Sequence, residues 1–119
     1  VLNDVPLELP AGGRLIHETA AQTALREMRE ETGVLIDDVN RLQPLPSFAI
    51  SSARYPVLPY VFQLDLTDGE FAERGLSDDE IVAVECWSFP ELKQMIADGK
   101  VYVGFPVAII SAFFFRNNI

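Results

Sequence analysis

A chain of 119 residues, 49% of them hydrophobic, is long enough to bury one core and short for two. Its net charge of −9 is the opposite of the basic footprint that binding a nucleic acid polymer needs. The longest apolar run, Phe105 to Phe115, is broken by Pro106 and Ser111 and is too short to span a bilayer, so no membrane is expected as a partner.

No repeat, low-complexity tract or linker-like stretch divides residues 1–119, which read as a single domain. No charged-then-apolar leader marks the chain for export. In chain order, Glu8-Leu9-Pro10-Ala11-Gly12-Gly13 reads as a short extended segment stopped by proline and two glycines, a strand and then a tight loop. Ala20 to Glu31 holds good helix formers without Gly or Pro, and Gly33 falls where a left-handed C′ residue belongs. Ala21, Ala24, Leu25 and Met28 make the apolar arc of that helix. Val39 to Leu45 is a turn and strand region. Tyr60 to Leu66 alternates as a half-buried strand ended by Thr67-Asp68-Gly69, and Ile81 to Phe89 is a second strand. Pro90 opens a helix, Glu91 to Ala97, closed by Asp98-Gly99. A last helix from about Pro106 to Arg116 is so apolar that it must pack in the core or against a partner subunit, since an exposed Phe113-Phe114-Phe115 is an aggregation liability. Cys86, the single cysteine, excludes an internal disulfide, suits a reducing cytoplasm and reads as a buried structural thiol.

The first helix carries the chemistry. Residues three and four apart on a helix are surface neighbours, so Glu27, Glu30 and Glu31 share one stripe at the margin of the apolar arc. Like charges in a row repel unless something positive sits among them, and a divalent cation is the simplest such thing. Arg26, four residues before Glu30, has the spacing of an ion pair that orients a carboxylate. The glycine loop before the helix lets backbone approach a ligand closely. Strand, glycine loop and acid-bearing helix together make an oxygen-rich place for a hard cation such as Mg²⁺. The competing reading is an ordinary solvated glutamate-rich face.

Gly12, five residues, Glu18, seven residues, Arg26-Glu27-Met28, one residue, Glu30-Glu31, one residue, Gly33-Val34: this spacing resembles the Nudix hydrolase box at every fixed position. The resemblance implies an α/β fold, a Nudix-type α/β/α sandwich with a mixed sheet, N-terminally short beside relatives that usually carry a further strand before the box. It implies cleavage of a nucleoside diphosphate linked to another moiety, by water attacking phosphorus. It implies Mg²⁺ or Mn²⁺ held by Glu27 and Glu31, with Glu30 supporting, Glu18 contributing through a second metal or water, and the backbone carbonyl of Ala11 or Gly12 completing the shell. Arg26 would orient a glutamate. A glutamate from a later loop would serve as general base, for which Glu80 is the first choice and Asp79 the second.

The substrate is expected to be a nucleotide-derived small molecule. The Leu9-Pro10-Ala11-Gly12 context looks most like the ADP-ribose and nucleotide-sugar pyrophosphatase branch, although the proline that branch often carries some fifteen residues past the box is Ala49 or Ile50 here. Gly12 and Gly13 would approach the substrate through backbone; Arg14, Arg41 and Arg54 are the cations available to a diphosphate, and Tyr55 is the aromatic least suited to a core. His17, in the variable part of the box, reads as an exposed loop residue. A homodimer fits the family. The alternatives are a non-catalytic nucleotide-sugar sensor or binding module, and a nucleoside triphosphate pyrophosphohydrolase with the same metal demands.

Overall fold

A computed structural model describes residues 7–49, 51–54, 58–77 and 83–119. Tyr55, Asp79 and Glu80 lie outside the described residues. The chain divides into two compact units, Pro10–Leu45 with Tyr60–Val84, and Val1–Leu9 with Pro46–Pro59 and Glu85–Ile119. Each is described by itself.

In the first of these, the helix foreseen from the box is α1, Ala20–Thr32. Its start is a capping box: the Thr19 hydroxyl accepts from the Gln22 N–H at 3.2 Å and the Gln22 side chain accepts from the Thr19 N–H at 2.9 Å, which satisfies two otherwise orphaned donors. Its end is Gly33 at φ 78°, whose N–H reaches the Arg29 carbonyl at 2.8 Å. Leu25 is buried, as the apolar arc requires, and so is Val34 just past the cap. Thr23 is buried as well, and its hydroxyl lies 3.0 Å from Glu18 and 3.2 Å from the Thr19 carbonyl, so its polar group is satisfied.

A single 3₁₀ turn, Val39–Arg41, leads into β1, Gln43–Leu45, which pairs antiparallel with β2, Val61–Gln63, in the register Gln43 to Gln63 and Leu45 to Val61. The expected strand over Tyr60–Leu66 is thus shortened to three residues. Pro44 lacks an N–H for the ladder and Pro46 stands just past the end of β1, which limits how far the pair can extend. Thr67-Asp68-Gly69 does not merely stop the strand. Thr67 caps α2, Asp68–Ala72, in a second capping box with Glu70. Arg41 grips the Glu70 carboxylate with both terminal nitrogens and donates to the Asp65 carbonyl at 2.8 Å, tying the 3₁₀ turn to the start of α2.

In the other unit, Ser88 caps α3, Phe89–Ala97, with Pro90 in its first turn, and Gly99 follows at φ 73°. The last helix, α4, runs Gly104–Arg116, two residues earlier than expected. Phe114 is buried, and its ring, with those of Phe113 and Phe89, forms a cluster with centroids 5.5–6.1 Å apart. Phe115, however, is 84% exposed, so the three consecutive phenylalanines are not all packed within this chain.

Four further expectations are corrected. Residues 7–9 form no strand, and residues 83–88 form no ladder among the described residues; alternation makes a strand only where a partner edge accepts its hydrogen bonds. Cys86 is exposed rather than buried. The sheet among the described residues has two antiparallel strands beside four helices, so the expected mixed sheet is not formed there. No helix among the described residues is long and apolar enough to cross a membrane.

Candidate active site

The acidic stripe of α1 is organised around one cation, the Arg26 guanidinium. Its Nη1 donates to Glu27 Oε1 at 2.8 Å and to Glu30 Oε2 at 3.2 Å. Its Nε donates to Glu18 Oε2 at 2.7 Å, while Nη2 reaches Glu18 Oε1 at 3.0 Å and the Gly13 carbonyl at 2.9 Å. The pair with Glu30 is the one the four-residue spacing foresees. The pairs with Glu18 and Gly13 span eight and thirteen residues, and no helical periodicity reports them.

Glu18 is the most engaged of these acids. Besides the fork from Arg26 it accepts the Leu15 N–H at 2.9 Å and lies 3.0 Å from the Thr23 hydroxyl. Arg26 first, and the Leu15 N–H next, hold its carboxyl well below the ordinary range, at about 2. Arg26 is pushed further up by the same partners, Glu18 foremost. The site is only partly screened from water: the side chains of Glu18, Arg26 and Glu27 are 16–21% exposed.

Glu31 turns to a different partner. Its Oε2 accepts the N–H of Ala11 at 2.7 Å, so the loop before the box is pinned to the last turn of α1 by its amide, where the resemblance had suggested a carbonyl facing a metal. Gly12 follows directly. A Cβ at Gly12 would overlap the Glu27 carboxylate, which makes the bare backbone a requirement of the Glu27 position. Gly13 supplies the carbonyl to Arg26.

The remaining expected residues are less tightly placed. Arg14 is exposed in the loop, next to a turn in which Glu18 N–H reaches the Leu15 carbonyl and His17 takes φ 73°. His17 is exposed, as expected. Arg41 is committed to Glu70. Arg54 belongs to the other compact unit, exposed in a turn whose Ser51 hydroxyl accepts the Ala53 and Arg54 N–H groups.

The residues that sequence reasoning missed are therefore partners rather than ligands, Thr23 and the Leu15 amide, while Ala11, expected to act through its carbonyl, engages through its amide instead. Only Thr19 and Gln22 left a readable signal, the T-x-x-Q pattern of a capping box.

The chain belongs to the NUDIX domain family, whose model matches residues 3–103. No curated protein sequence and no solved structure matches it. With the family go an α/β fold, pyrophosphohydrolase activity in general and a nucleotide-derived substrate.

Members of the family typically use a divalent metal, and the donor chemistry here fits one. The acids offer hard oxygen donors, Gly12 leaves room that a Cβ would fill, and the place already gathers carboxylates about a positive group. Among the described residues no three His, Cys, Asp or Glu side chains close on one point as a ready-made cage; Arg26 and the Ala11 amide hold the carboxylates instead.

Proposed function

We propose that this chain, as a single domain over residues 1–119, hydrolyses the pyrophosphate bond of ADP-ribose or a related nucleotide sugar, giving a nucleoside monophosphate and a sugar phosphate. Water oxygen forms a new bond to phosphorus, and the bond from that phosphorus to the bridging oxygen breaks. The observation that carries the reading is the gathering of Glu18, Glu27 and Glu30 on Arg26, with Glu31 braced against Ala11, inside a matched family domain. The Leu9-Pro10-Ala11-Gly12-Gly13 context supports the nucleotide-sugar branch.

Glu27 and Glu31 are the principal holders of Mg²⁺ or Mn²⁺ in this reading, with Glu30 supporting. When bound, such ions neutralise the diphosphate and lower the pKa of an attacking water. Arg26 orients Glu27 and Glu30 through its shared Nη1. Gly12 and Gly13 bring backbone close to the substrate, and Arg14 is the side chain beside them offered to its phosphates. Glu80, then Asp79, is assigned the proton from water. The residual negative charge of the chain is no obstacle, because bound dications invert the local field.

The test is phosphate release, with a coupled phosphatase, from ADP-ribose, a nucleotide sugar, NADH, a dinucleoside polyphosphate and the deoxynucleoside triphosphates, in Mg²⁺ and then Mn²⁺. Cleavage of ADP-ribose or the nucleotide sugar is the expected result. Cleavage of triphosphates alone would move the chain to the nucleoside triphosphate class. A rise in melting temperature with ADP-ribose, without turnover, would make it a sensor.

A further inference from the structure

Glu30 and Glu31 occupy the last turn of α1, where the helix dipole and the terminal carbonyls are already negative. Two carboxylates there oppose the dipole, and Arg29 is the one basic residue of that turn. Helix ends are also where a fold opens first. This end is held from outside. Gly33 is buried, and its carbonyl, past the helix's own ladder, accepts the Gly75 N–H at 2.7 Å. Gly75 is held in turn, because it follows α2, whose Glu70 is gripped by both terminal nitrogens of Arg41. The same Nη2 donates to the Asp65 carbonyl at 2.8 Å. Residues 33–41 and 65–75 are thus tied twice, backbone to backbone at Gly33 and Gly75 and by the forked ion pair of Arg41 and Glu70.

We propose that Arg41 is a positioning residue for the metal-holding end of α1. By fixing α2 through Glu70 and Asp65 it keeps Gly75 on the Gly33 carbonyl, and so keeps Glu30 and Glu31 in the helical turn from which they hold a divalent cation. The inference rests on the metal assignment made under Proposed function. It gives Arg41 a part in the reaction without contact with substrate, in place of the diphosphate-binding cation that the sequence suggested. Without the ion pair, the Gly33–Gly75 hydrogen bond holds the crossing with less support and the last turn opens more often. Each opening withdraws two carboxylates from the cation.

The experiment pairs Mn²⁺ titration calorimetry with amide hydrogen exchange on the whole chain. The proteins are wild type, Arg41→Met, Gly75→Pro, the double variant and Glu31→Gln. Arg41→Met keeps an apolar stem, and Gly75→Pro deletes the N–H that meets Gly33, at a position past the end of α2. The expected result is Mn²⁺ affinity lowered about three- to tenfold by either substitution, with Arg41→Met adding nothing in the Gly75→Pro background, the non-additivity that marks a shared route. Without metal, exchange at the Thr32 and Gly33 amides should speed up more than at Leu25 in the middle of the helix. Glu70→Gln, which keeps an acceptor for the Thr67 N–H, is the second variant should Arg41→Met fail to fold. Unchanged Mn²⁺ affinity with faster exchange along all of α1 would overturn the proposal and make the pair purely structural. Unchanged affinity with a raised KM would overturn it and return Arg41 to the substrate. Additive losses would overturn the route through the crossing. Absence of Mn²⁺ binding by wild type, or binding untouched by Glu31→Gln, would overturn the metal assignment itself, a separate failure that leaves the exchange at Thr32 and Gly33 to decide whether Arg41 braces the turn.

Discussion

Gly75 donates its N–H to the carbonyl of Gly33 at 2.7 Å, and a Cβ on Gly33 would overlap the Gly75 carbonyl. Two backbones cross at the C-terminal cap of the acid-bearing helix, at a spacing that admits no side chain on Gly33. The same residue also takes φ 78° to end α1. Gly33 therefore meets two demands at once, where Gly99, at φ 73° with nothing within 4 Å, meets one.

Replacing each with alanine separates the two. Gly99→Ala is expected to cost about 1 kcal/mol, the strain of a left-handed alanine. Gly33→Ala should cost about 2–4 kcal/mol, because overpacking against backbone adds to that strain. Urea denaturation of both variants measures the difference, and equal costs would show that the crossing yields easily.

Gly12→Ala probes the active site rather than the fold. The new methyl displaces the Glu27 carboxylate, a flexible side-chain end, so unfolding should shift by less than about 1 kcal/mol. Turnover should fall about tenfold to a hundredfold, since small misplacement of a catalytic group has effects of that order. Steady-state kinetics beside a melting curve reads both.

Glu31→Gln keeps an oxygen for the Ala11 N–H and removes the charge. Turnover of the best substrate should drop by about two orders of magnitude or more, with circular dichroism unchanged. Retained activity would remove Glu31 from the metal assignment.

Acid titration should expose the paired glutamates. Arg41 first, then the Thr67 N–H, holds the Glu70 carboxyl well below its usual range, at about 2. Its folded pKa is thus below its unfolded one, near 4.3. The stability it contributes is complete above the unfolded pKa and is lost as pH falls towards 2. Glu70→Gln should flatten the stability curve between about pH 4.5 and 2 and leave its shape at neutral pH unchanged. A loss of slope at pH 6–8 instead would contradict the assignment.

Cys86, exposed in the structure, should react with an aromatic disulfide reagent in native buffer at a rate close to that of a free thiol. Labelling only after denaturant would restore the buried reading.

How much of this was legible beforehand depended on sequence distance. The helix from Ala20, the Gly33 stop, the Arg26–Glu30 pair and the Pro90 helix all rest on contacts within a turn or two, where spacing alone carries the geometry. Thr67-Asp68-Gly69 reads as turn chemistry by composition, yet the T-x-x-E spacing of Thr67 and Glu70 is also the signal of the capping box that begins a five-residue helix. The strand expected over residues 81–89, of which 83–88 form no ladder, and the burial of Cys86 rest on alternation, which says which residues could share a face but not whether a neighbouring strand receives them.

The sequence by itself determined the acid-bearing helix, its caps and the family to which the box belongs, because each follows from local periodicity and a fixed spacing of chemically distinct residues. Only the tertiary structure decided that Arg26 is claimed by Glu18 and Gly13, that Glu31 meets the Ala11 amide, that Arg41 is taken by Glu70, and that Gly33 lies under Gly75. These are contacts between segments that a chain brings together by folding. Hydrogen bonds and ion pairs depend on distances of about 3 Å, which no count of intervening residues supplies.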